Sequence, residues 1–96
     1  MLKHVVLFKF KPETSEAQIE QLAAGLGALP GTIDEIREFV FGRDVIRSER
    51  SYDVGLVSLF DDRAALDRDQ VHPEHQKVVA IVKQICGAVV ALDFEL

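Results

Sequence analysis

Val5-Val6-Leu7-Phe8-Lys9-Phe10 is the segment from which the fold can be read. It is short and rich in β-branched and aromatic residues, which marks a strand. Side chains alternate along a strand, so Val6, Phe8 and Phe10 share one face and Val5 and Leu7 the other. Both faces are apolar. Pro12 stops the strand. Ser15 with Gln18 three residues on is a capping box, and Ile19, Leu22, Ala23 and Leu26 then recur at helical spacing. Gly27 and Leu29-Pro30-Gly31 are expected to end that helix in a turn.

Residues Ile36 to Gly42, with Phe39, Val40 and Phe41, read as a second strand, and the charged stretch from Gly42 to Ser51 as a loop. Tyr52 to Phe60 is a third strand. Asp61-Asp62 caps a short helix that opens Arg63-Ala64-Ala65-Leu66, and Pro73 restarts the helix after a break, since proline suits a first turn and restricts the residue before it. Val78, Val79, Val82, Ile85 and Cys86 give the restarted helix one apolar face. Gly87 is its expected cap, and Val89 to Phe94 the last strand. The order β-α-β-β-α-β is the ferredoxin-like unit of the α+β class: a four-stranded antiparallel sheet with both helices on one face. Residues 1–96 make one domain, without repeats or linkers.

The later strands share the two-sided character of the first. Val54, Leu56 and Phe60 stand against Val57 and Leu59, and Val90, Leu92 and Phe94 against Val89 and Ala91. Helices cover one face only. The other would expose more than the roughly 300–600 Å² of apolar patch that monomers tolerate. A second copy is the simplest cover, and two-fold homodimers dominate. The hydrophobic share of 48% is high for a lone chain of 96 residues, in keeping with a partner surface.

A net charge of -5 argues against nucleic acid as a partner, because counterion release needs clustered Lys and Arg. Arg43, Arg47 and Arg50 are interrupted by Asp44 and Glu49 and read as a solvated loop. One cysteine, Cys86, excludes an internal disulfide and a cysteine-rich zinc site. The opening Met1-Leu2-Lys3-His4 has no apolar leader, and no apolar run approaches a membrane span, so no signal peptide and no membrane partner are expected and the location expected is cytoplasmic.

Several segments together resemble the stress-responsive dimeric α/β barrel (Dabb) family. They are Lys3-His4-Val5-Val6-Leu7-Phe8-Lys9-Phe10-Lys11, Leu29-Pro30-Gly31, Phe41-Gly42-Arg43-Asp44, Tyr52-Asp53-Val54 with Phe60-Asp61, His72-Pro73-Glu74-His75, and Asp93-Phe94. They span nearly the whole chain in the family's order. The resemblance implies two ferredoxin-like units packed sheet to sheet as a barrel. Most bacterial members have no assigned activity and plant members are linked to stress responses. One plant relative, olivetolic acid cyclase, closes a polyketide ring. The resemblance to it implies that His75 matches its base, whereas its assisting tyrosine is replaced here by Asp69.

The residues themselves allow a site. His75 lies three, four and seven residues before Val78, Val79 and Val82 and shares their stripe, and His4 shares a strand face with Val6, Phe8 and Phe10. If that strand face is the helix-facing one, both look into one apolar cleft that suits a small molecule, with His75 as candidate base and His4, His72, Tyr52 and Asp69 as candidate ligand contacts. The competing reading makes both histidines hydrogen-bonded core residues, with Asp69 paired to His72 or capping the helix break. The spacing Asp69-x-x-His72-x-x-His75 spreads its side chains, so no metal is expected. No Gly-rich phosphate loop or nucleophile motif is present, and no cofactor is expected. The expected function is a homodimer that binds a small hydrophobic molecule. The alternatives are a cofactor-independent acid/base enzyme (cyclase-, isomerase- or monooxygenase-like) and a purely structural module.

Overall fold

Apolar side chains on both faces suit an interior strand, and strand β1 (Leu2–Phe10) takes that place. In the computed structural model, which describes every residue from Met1 to Leu96, β1 pairs antiparallel with β3 (Val54–Phe60) on one side and with β4 (Cys86–Glu95) on the other. Strand β2 (Glu38–Arg43) pairs with β3, giving the sheet order β2-β3-β1-β4. Helices α1 (Glu16–Thr32), α2 (Arg63–Val71) and α3 (Pro73–Ile85) complete the ferredoxin-like fold.

The core lies between helices and sheet. Leu22, Leu26 and Leu29 of α1 and Val78 and Ile85 of α3 bury against Val6, Phe8, Val54 and Leu56. A smaller cluster packs Ala65 and Leu66 of α2 on Leu2 and Phe60. Gly25 lets α1 and α3 approach closely, since a Cβ there would lie 3.3 Å from Val78 Cγ2.

The opposite face is open. Register places Val5, Leu7, Val40, Val57, Leu59, Val90, Leu92 and Phe94 on it. Val40 and Leu92 are each 63% exposed. The pair Lys3–Glu38 lies at one end of this face, 3.9 Å apart.

Local signals place most element ends. Ser15 and Gln18 form the capping box of α1. Asp62 caps α2, accepting from the Ala65 N–H at 2.9 Å, and Pro73 opens α3. Two helix ends differ from expectation. Helix α1 runs through Pro30 to Thr32, because the buried Leu29 and Ile33 hold its last turn against the core and proline forfeits a single N–H. Gly87 caps nothing: α3 ends at Ile85, Cys86 is already extended, and β4 begins there, earlier than the expected Val89. Strand β3 begins at Val54 and not at Tyr52.

The β2–β3 loop is tied by charges. The Arg47 N–H donates to Asp44 Oδ2 at 2.6 Å, and its guanidinium reaches Asp53 Oδ1 at 2.7 Å. Arg47 has φ 56°, a left-handed conformation that the Asp44 turn holds in place. Asp53 Oδ2 also accepts the Phe10 N–H at 2.6 Å, beside the register shift between β1 and β4 at Lys9/Phe10.

Candidate functional site

The face of β1 that carries Val6 and Phe8 also carries His4, and α3 lays His75, Val78, Val79 and Val82 over it. Between them lies a cavity of about 400 Å³ lined by 19 residues, 13 of them hydrophobic. That volume falls in the range of small-molecule sites, and an apolar wall with few polar groups is their usual chemistry. The polar lining is concentrated among His4, Ser58, Asp69, Gln70 and His75, with Lys83 farther along α3.

Two imidazoles of the lining approach carboxylates. On the sheet, His4 Nδ1 contacts Asp93 Oδ1 from the facing position of β4. An ionised carboxylate only accepts, so Nδ1 carries the proton of that contact. The His4 ring meets Phe60 edge-on at 6.3 Å. On the helices, His75 Nε2 lies 3.9 Å from Asp69 Oδ2. Asp69 is 3% exposed, and Gln70 Nε2 donates to its Oδ2 at 3.2 Å. Asp69 Oδ1 and His75 Nδ1 are buried without a partner.

Burial dominates both titrations. It pushes the Asp69 carboxyl above the ordinary carboxylate range, with His75 opposing the shift. It pushes the His75 imidazole below its ordinary value, with Asp69 opposing. Both shifts favour the neutral forms, as expected where two facing groups lose water and gain no direct hydrogen bond. Perturbed groups facing an apolar cavity are a common mark of a functional site.

His4, Asp69 and His75 are thus brought together; His72 and Tyr52 do not line the cavity. His72 caps α3, its Nδ1 accepting from the Glu74 N–H at 3.1 Å. Tyr52 precedes β3 at the far end of the sheet, with Lys9 Nζ 5.4 Å from its ring centroid. Asp69 neither pairs with His72 nor caps the break by its side chain; only its carbonyl accepts the His72 N–H, at 3.1 Å. Asp93, Ser58 and Gln70 are not among the site residues that the sequence suggests. Asp93 shares the strand parity of Val89 and Ala91, so its face was legible, but its pairing with His4 needs the β1–β4 register. Cys86 is half-buried, and burial raises its thiol pKa, which disfavours the reactive thiolate. No cluster of three or more His, Cys, Asp or Glu side chains could hold a metal ion, and no helix is long and apolar enough to cross a membrane.

Fold and cavity define a ferredoxin-like protein with a ligand-sized space between helices and sheet. Residues 2–96 match the family described as the stress responsive A/B barrel domain, and the chain belongs to that family. It is 32% identical over 97 residues to an uncharacterized protein of Streptomyces coelicolor, covering 99% of each chain. It is 28% identical over 96 residues to the stress-response A/B barrel domain-containing protein HS1 of Arabidopsis thaliana, covering 98% of this chain and 88% of that one. Among solved structures it is similar to a dimeric ferredoxin-like protein of unknown function from Thermobifida fusca, with a TM-score of 0.90, 29% identity, and coverage of 99% and 90%.

Proposed function

We propose that this chain works in the cytoplasm as a homodimer joined through the open sheet face, each copy holding a small hydrophobic molecule between its helices and its sheet. The observation that carries the ligand is the apolar cavity of about 400 Å³ with His4, Asp69 and His75 gathered in its wall. A packed core would leave no such space, since interiors tolerate few voids larger than a water. The dimer is supported by the apolar open face and by the dimeric Thermobifida fusca relative.

Nile red, an uncharged fluorophore that brightens in apolar surroundings, tests the cavity. The wild-type protein is expected to bind it, and Val79→Trp, which fills the space from α3, is expected to weaken binding at least tenfold. Equal binding by both proteins would place the dye elsewhere and end the ligand reading.

A second reading has its own observation. His75 is a half-buried imidazole kept neutral by burial beside a carboxyl in an apolar site, the condition of a general base near neutral pH. Cofactor-independent acid/base chemistry on the bound molecule would use it. His75→Ala abolishes such turnover while leaving Nile red bound. A purely structural module would give neither dye binding nor turnover.

A further inference from the structure

Two polar groups of the cavity wall come from different helices, Asp69 from the last turn of α2 and His75 from the first turn of α3. Asp69 Oδ2 and His75 Nε2 stand 3.9 Å apart. That is too long for a hydrogen bond, and an oxygen set to one side of the line between them, toward the cavity, can stand at about 2.8 Å from each. The other polar atom of each side chain, Asp69 Oδ1 and His75 Nδ1, is buried and unpaired. Leaving buried polar groups unmatched is destabilising, and the fold does not need this pair to join the helices. His72 caps the break, and the Gln76 side chain donates to the Gln70 carbonyl at 2.6 Å.

We propose that the cavity takes an uncharged, largely hydrocarbon molecule bearing a hydroxyl group whose oxygen bridges Asp69 and His75, and that it rejects the matching carboxylate. This rests on the cavity being a ligand site, as proposed above. A hydroxyl both donates and accepts, and neutral imidazole offers one donor and one acceptor nitrogen, so a hydroxyl can pair with both Asp69 Oδ2 and His75 Nε2, the two atoms that face each other, whereas Asp69 Oδ1 and His75 Nδ1 lie outside that bridge. A carboxylate only accepts. It would carry a full negative charge into an apolar cavity whose His4 imidazole is already turned to Asp93. The cation left for it is Lys83, which is exposed and eight residues along α3 from His75, about 12 Å at the helical rise. Burying the carboxylate among apolar side chains without a partner is strongly unfavourable.

NMR titration of the isotope-labelled full chain at pH 7 with 4-butylphenol, butylbenzene and 4-butylbenzoate tests this. The phenol is expected to bind at least tenfold tighter than either of the others, with shifts at residues around His75. Asp69→Ala is expected to bring the phenol down to the affinity of butylbenzene, with butylbenzene itself changed less than threefold. Benzoate binding as tight as the phenol would overturn the proposal in favour of an anion site at Lys83. Butylbenzene equal to the phenol would overturn it in favour of a cavity without a polar anchor. Failure of all three to bind would overturn the ligand reading itself and this proposal with it. The ranking of the three probes on wild-type protein decides the matter even if the variant does not fold.

Discussion

Asp69 and His75 are held against their preferences in water, and their titrations pull stability in opposite directions with pH. His75 has a folded pKa below its ordinary value of about 6.5, so its stability contribution is full above about 6.5 and is lost as pH falls through the folded value. Asp69 has a folded pKa above its ordinary value of about 3.9, so its contribution is full below about 3.9 and is lost as pH rises through the folded value. Asp69→Asn removes the second loss and keeps the shape. Urea unfolding across pH 4–8 is expected to show this variant gaining about 1 kcal/mol over wild type at pH 7. A loss instead would mean that Asp69 is ionised and well paired with His75, and the neutral pair would be wrong. A gain in stability at the expense of ligand binding is the usual trade at functional positions.

Among the elements, the Asp53 side chain ties the end of β1 to the loop that leads into β3. Burial pushes the Asp53 carboxyl up, but the Phe10 amide and Arg47 outweigh it and hold the group below the ordinary carboxylate range. Asp53→Ala strands the Phe10 N–H where the β1–β4 register shifts and frees the Arg47 loop. The expected cost is about 1–3 kcal/mol in urea unfolding; a cost below about 0.3 kcal/mol would show that solvent replaces the carboxylate without penalty. Periodicity made the strands and helices legible because an apolar stripe is a local property of the sequence. Element ends were less so. Leu29-Pro30-Gly31 carries a turn's residues, yet the buried neighbours Leu29 and Ile33 keep it helical. Gly87 sits where a cap is expected, yet pairing of β4 with β1 extends the chain from Cys86. For the cavity, the shared stripes of His4 and His75 were enough to bring them together. His72 and Tyr52 lie outside the cavity wall because a residue's nearness to a motif does not say which way its side chain turns, and the Asp93 contact lies 89 residues from its partner.

At the scale of the whole molecule, one sheet serves two surfaces. Its covered face bears His4, Val6 and Phe8, and its open face Val5, Leu7 and Leu92. A dimer of ordinary size buries about 800 Å² per partner, and a charge inside it must be desolvated at several kcal/mol. Light scattering at micromolar concentration is expected to give twice 10.7 kDa for wild type and for Glu20→Lys on α1, and monomer or insoluble protein for Val57→Asp. A wild-type mass of 10.7 kDa would end the dimer reading. The absence of any connecting turn between α3 and β4 has a consequence for how the gene can vary in length. Ile85 ends the helix and Cys86 begins the strand, so a codon inserted at that seam has no slack to enter. It would invert the parity of β4, turning Val90 and Leu92 inward and Asp93 away from His4, and spoil both surfaces at once. The same insertion between Glu49 and Arg50, both exposed in the loop between β2 and β3, meets no alternating pattern. Length variation compatible with folding therefore belongs in that loop, while the helix–strand seam keeps its count.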